Sequence, residues 1–176
     1  MTKEVPIPVD CSLHASARTA YFADAFETLV PCSNLTATQL YGAIMRSTPN
    51  WVDSAMLARN RIVRLFGLKD LGALSSVPAT AEHTLKPGQR IGIFTFASAT
   101  PTELVMQDTD KHLSVQIAII KQTVDAVHDR VIACTVVHTH NLLGKLYLLP
   151  VGPAHKHIVP AVLRRAHAAV ATAIAG

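Results

Sequence analysis

Two long strand-like runs lead straight into an apolar C-terminal helix, and that order limits the fold more than any other feature of the chain. The residues Asp110-Lys111-His112-Leu113 open the first run, and the second ends in Val136-Val137-His138-Thr139-His140-Asn141. Leu142 to Pro150 and an Ala-rich tail follow. Four strand-like runs are expected, over Arg90 to Ser98, Glu103 to Asp108, His112 to Gln122 and Arg130 to His140, each bounded by Pro, Asp or Gly. Sequential strands with short connections pair antiparallel. An antiparallel sheet needs its apolar face covered, and the terminal helix is the element long enough to cover it. The expected architecture is therefore α+β, a helix-grip: a curved antiparallel sheet wrapped around a long C-terminal helix, with a cavity between them.

Upstream, Met1 to Arg18 reads as an extended, loosely held segment. Tyr21 to Thr28 alternates as a first strand with Phe22, Asp24 and Phe26 on one face. A helix is expected over Thr36 to Arg46, with Leu40, Ile44 and Tyr41 on its buried stripe. A second follows, capped by Thr48 and opened by Pro49, with Trp51, Ala55, Ala58, Ile62 and Leu65 inward and Gly67 as its stop. Leu71 to Gly88 is rich in Ser, Ala, Thr, Gly and Pro, and a connection this long is expected to be mobile or functional, with a lid over the cavity as one role open to it. Leu142 to Leu149 reads as a short helical turn. The final helix is placed at Ala154 to Ala173, started or kinked by Pro160, with Ile158, Val162, Ala166 and Val170 on one face.

With 176 residues one domain is expected. Charged residues make up 16% of the chain, against about 25% in an ordinary globular protein. Apolar surface must therefore be hidden in a large core, a ligand cavity or a homodimer contact. No apolar run approaches the ~18 residues of a membrane span, and the N-terminus lacks the apolar block of a secretory signal, so a cytoplasmic location is the default expectation. The charge of +4 is dispersed without aromatic interleaving, which argues against a nucleic-acid partner. Cys11, Cys32 and Cys134 have no metal-ligand spacing, and Cys134 reads as a small core residue.

Several motifs in the same order resemble an uncharacterised bacterial family, the domain of unknown function twenty-eight sixty-seven. They are Tyr21-Phe22-Ala23-Asp24-Ala25-Phe26, the run Arg59 to Leu68, Pro87-Gly88-Gln89-Arg90-Ile91-Gly92, Asp110-Lys111-His112-Leu113, and Val137 to Arg165. The resemblance spans nearly all of the chain after residue 18. More remotely it extends to the START, polyketide-cyclase and Bet v 1-like helix-grip proteins, which hold apolar or amphipathic small molecules in an internal cavity. It implies a single START-like domain over residues 19–176. The family supplies no activity to carry over. Ala154 stands beside His155 where many relatives have an aromatic.

Four residues are the ligand-binding candidates. Asp24 falls on the expected inner face, where a carboxylate needs a partner or a function. Arg59 flanks the buried stripe of its helix and could reach Asp24 or an anionic ligand with a bidentate fork. His138 is read as inward, with Ile132, Cys134 and Val136 on the face shared by Leu113, Val115, Ile117 and Ile119. His112 has the opposite parity and is expected to point outward unless a bulge turns it. His155 and His157 are read as surface or helix-start residues. The histidines do not converge in number for a zinc site, so neither metal nor cofactor is expected. The leading expectation is a module that binds a small apolar or amphipathic molecule. The alternatives are a cofactor-independent cyclase, hydratase or isomerase using Asp24 or His138, and a homodimeric interaction protein.

Overall fold

A computed structural model describes residues 2–64 and 85–175. Seven antiparallel strands form one curved sheet in the order β1-β2-β7-β6-β5-β4-β3. They are β1 (Lys3–Glu4), β2 (Phe22–Pro31), β3 (Arg90–Ile91), β4 (Phe94–Ala99), β5 (Glu103–Thr109), β6 (Leu113–Thr123) and β7 (His128–Thr139). The helices are α1 (His14–Ala17), α2 (Ala37–Arg46), α3 (Asn50–Arg64), α4 (Leu142–Leu163) and α5 (Ala166–Ala175). The expected α+β sheet with a long C-terminal helix is what the chain forms.

The long β6–β7 hairpin is the centre of the sheet. Its turn is set by Asp125, whose Oδ1 accepts the Val127 and His128 amides at 2.8 Å each. The register pairs Ile119 with Ala133, Ile117 with Thr135 and Val115 with Val137. Those residues face the helices, in one row system with Phe26, Asp24 and Phe22 of β2 and Leu104 and Met106 of β5. One half of this helix face is filled. Phe26, Val30, Leu104, Ile119 and Val131 pack there against Leu40, Tyr41 and Ile44 of α2 and against Val162, Ala166 and Val170 of α4 and α5. The stripe expected from Val162 to Val170 is the one buried.

The opposite face carries a second apolar cluster. Ala25, Val105, Ala118, Ile120, Ile132, Cys134 and Val136 lie under Cys11 and Leu13, with Val5, Ile7 and Ala17 around them. Residues 3–20 thus form a strand, a short helix and an apolar lining over the sheet, where a loose segment was expected. His138 Nε2 meets Ser16 Oγ at 2.9 Å, and that hydroxyl donates to Gln116 Oε1 at 2.7 Å. Because a hydroxyl has one proton, the imidazole must donate to Ser16, and the resulting chain fastens α1 to the sheet.

Several local expectations shift. The buried residue at the start of α3 is Val52, whereas Trp51 is 51% exposed and Ala58 is exposed. The Thr48 hydroxyl is buried without a partner and makes no cap. Leu65, Gly67 and all but the last residues of the Leu71-to-Gly88 connection lie outside the described residues. The terminal helix begins twelve residues earlier than expected. Asn141 caps it by accepting the Gly144 amide at 3.1 Å, and it runs through Pro150, Pro153 and Pro160 before a break at Arg164 and Arg165. Each internal proline strips one hydrogen bond from the carbonyl four residues earlier. Those carbonyls belong to Leu146, Leu149 and Lys156, all exposed, where water replaces the lost donor.

Two measurements test this account. Leu13→Ala empties a buried site between the N-terminal segment and the sheet, and should lower the unfolding free energy by about 3 kcal/mol in urea titration. The second concerns Asp129, whose side chain is fully buried and bridged to Lys121 Nζ at 3.2 Å. Burial pushes its carboxyl up, but the Ser33 amide, the Thr123 hydroxyl and Lys121 together outweigh that and hold it below its usual value of 3.8. A depressed folded pKa means stability present at neutral pH and lost as pH falls through that pKa. Asp129→Asn should therefore be less stable than the native chain at pH 7, with the gap closing as the pH drops below about 4.

Candidate functional site

Among the described residues the helix face is fully buried at one end and only partly buried at the other. Toward Phe22, Val115 and Ile117 the sheet still faces the helices, yet all three side chains are only half-buried. β6 is a central strand, so the edge of the sheet is not the reason. This half lies beneath α4, and it carries the polar minority of the face. Asp24 pairs across the ladder with Thr135, and Asp108 of β5 lies in the row of Val115, Val137 and Phe22. All three polar residues are buried.

Asp24 points inward, as its position between Phe22 and Phe26 requires. Its side chain is 2% exposed, and Oδ1 accepts from His155 Nε2 at 3.1 Å. The His155 ring stands edge-on to Phe22, with centroids 5.7 Å apart. The second carboxylate oxygen, Oδ2, is buried without a hydrogen-bond partner. An orphaned buried acceptor is expensive, about 1–3 kcal/mol and more for a charged group. Asp24 also borders an open groove between the N-terminal segment and β2, together with Glu4, His14 and Arg18. His155, read from the sequence as a surface residue, is thus the partner of the inward carboxylate. His157, two positions on, diverges to the exposed side and bonds the Pro153 carbonyl at 2.9 Å.

Arg59 does not reach Asp24. Its Nε donates to the Tyr147 hydroxyl at 2.8 Å, which ties α3 to the inner side of α4. His112 does not point outward. It is buried under the start of α4, where Nδ1 donates to Asn141 Oδ1 at 3.2 Å. Asn141 returns a bond to the Lys111 carbonyl at 3.0 Å. Gly144 packs so closely here that a Cβ would lie 2.3 Å from the His112 carbonyl oxygen. His112 Nε2 is left buried and unpartnered. Asp110 Oδ1 accepts the His112 and Leu113 amides, an Asx turn that starts β6.

His138 is a correction. It lies on the face covered by the N-terminal segment, opposite Ser114, and not on the helix face. The β7 parity was displaced by one residue because Val131 to Val137 is buried on both sides and its sequence does not alternate. Among the described residues, no cluster of three or more His, Cys, Asp or Glu side chains has the arrangement to hold a metal ion.

Strand order, register and a long C-terminal helix crossing one face of the sheet define a helix-grip α+β domain. The chain belongs to the family described as Protein of unknown function (DUF2867), whose model matches residues 16–162. No curated protein matches it. Among solved structures, that of Ara h 8.0201 is similar, with a TM-score of 0.36 and 11% identity over 82% of this chain and 98% of that one.

His155→Ala leaves both oxygens of a buried carboxylate without a partner. It should destabilise the fold by about 2 kcal/mol, whereas Asp24→Asn, which can still pair with the imidazole, should lose less. Chemical denaturation of the two variants beside the native chain reads the difference.

Proposed function

We propose that this protein binds a small apolar or amphipathic molecule between the open half of the sheet and α4, with Asp24 and His155 as its polar anchor. The observation that carries the reading is that Val115 and Ile117, on a central strand and facing the helices, are only half-buried. Ligand sites are mostly apolar with a few placed polar groups, and the orphaned Asp24 Oδ2 is such a group. Because that oxygen is an acceptor, the molecule should carry a hydroxyl or N–H donor at one end. Arg59 and Tyr147 stand on the same side of α4 and would bound the space. His112 and His138 are engaged by Asn141 and Ser16 and form no part of this site.

A second reading draws on the same pair. An imidazole oriented by a buried carboxylate is suited to accept a proton from a bound molecule. The enzyme reading therefore becomes a cofactor-independent cyclase, hydratase or isomerase acting through His155, with Asp24 orienting it.

Native mass spectrometry of the purified chain should show a co-purified small molecule. Ile117→Trp, which fills the space, should fold and lose that adduct. The naphthalene-sulfonate dye 1,8-ANS should bind the extracted native chain and not the variant. A native chain with neither an adduct nor dye binding overturns the proposal.

A further inference from the structure

α4 is apolar nearly all round, and a helix of that kind is ordinarily enclosed. Its inner side is engaged through Gly144, Tyr147 and His155, which meet His112, Arg59 and Asp24 respectively. Its outer side is not. Leu142 is 70% exposed, Leu146 52% and Leu149 65%. With exposed Pro153 they recur at spacings of four, three and four, a single ridge about 16 Å long at 1.5 Å per residue. Over Leu142–Ala175 the two C-terminal helices have the length and composition of a membrane-crossing segment, yet only 28% of the most apolar window is buried.

The charges beside the ridge have one sign. From Leu142 to Ala175 the chain carries Lys145, Lys156, Arg164 and Arg165 and no Asp or Glu. Lys111, at the helix start, is exposed as well. The nearby acids are occupied: Glu4 pairs with Lys156 at 3.3 Å, and Asp110 caps the start of β6. Tyr21, half exposed, lies beneath Lys145 with Nζ 5.8 Å from its ring centroid. Leucines flanked by lysine and an amphipathic aromatic match the interfacial region of a bilayer, where apolar groups enter the acyl boundary and cations meet headgroups. A second copy of the chain would present to this one the same face, whose nearby acids are already engaged. The inner contacts of α4 with the sheet keep the helix on a surface and out of a spanning position.

We propose that the Leu142–Leu146–Leu149 ridge docks the protein onto an anionic lipid bilayer, with Lys145 and Lys111 against the headgroups. The full-length chain should co-float with vesicles of phosphatidylcholine mixed with phosphatidylglycerol, and at least tenfold less with phosphatidylcholine alone. Leu146→Glu combined with Leu149→Glu should abolish flotation while leaving far-UV circular dichroism unchanged, since both positions are exposed. Lys145→Gln, which leaves the ridge intact, should weaken binding several-fold and reduce its salt dependence. Absence of flotation with the phosphatidylglycerol-containing vesicles overturns the proposal, as does equal flotation of native chain and variants. So does a native dimer in light scattering that the leucine substitutions convert to monomer without changing flotation. Retention of a co-purified small molecule is read separately, so docking can fail while the binding reading stands.

Discussion

The fold depends on β6 and β7 being covered on both faces. Val136, Cys134 and Ile132 of β7 sit under the N-terminal segment, while Val131 and Ala133 sit under the helices. A hairpin buried on both sides cannot slip register by one residue without moving one apolar set for another, so alternation alone does not fix its pairing. The polar pins at its ends do. Asp125 sets the turn, and the His138–Ser16–Gln116 chain and the Asp110 Asx turn fix the far end. Once the hairpin is fixed, the positions of Asp24 on one neighbour and Asp108 on the other follow from the ladder.

The same double cover explains what was legible. Strand number, antiparallel order and the terminal helix could be read because each run is bounded by turn residues and because Val162, Ala166 and Val170 keep helical phase. Asp24 could be read because Phe22 and Phe26 flank it on a strand whose helix-facing side is consistent. His138 was misplaced because every residue from Val131 to Val137 is buried, which erases the period-two signal. Trp51 and Val52 were exchanged for a related reason. Size and hydrophobicity favour the large aromatic for the core, but the neighbouring β-branched residue is the one that fits the interior.

His155 had a signal that went unused. Carrying the Ile158–Val162 stripe back by three residues arrives at His155, on the inner side of the same helix. That step requires a helix running through Pro150 and Pro153, and proline in a helix interior normally ends the pattern. Here Asn141 and the Gly144 contact with the His112 carbonyl start the helix firmly enough, and the freed carbonyls lie on exposed residues. An inward Asp24 demands a donor. Of the histidines downstream of β7, His140 bonds Ser114, His157 bonds a helix carbonyl and His167 is exposed. Elimination and helical phase therefore converge on His155.

The composition raises a final point. A chain with so few charges has more apolar surface than one sheet face and its helices absorb, and a ligand cavity or a subunit contact were the expected destinations. The surplus goes to three places. Part forms the outer cluster under Cys11 and Leu13, which the sequence order did not suggest because those residues precede the first long strand. Part lies half-buried on the helix face at Val115 and Ile117, and part stands on the outer ridge of α4. The last two share one helix. Over its first half α4 is held by polar contacts, Asn141 to His112, Tyr147 to Arg59 and His155 to Asp24, and at its end by the packing of Val162 and Leu163. Discrete hydrogen bonds fix the position of a helix without close side-chain packing along its whole length, which is how the first half of α4 stays on the sheet while Leu142, Leu146 and Leu149 remain exposed.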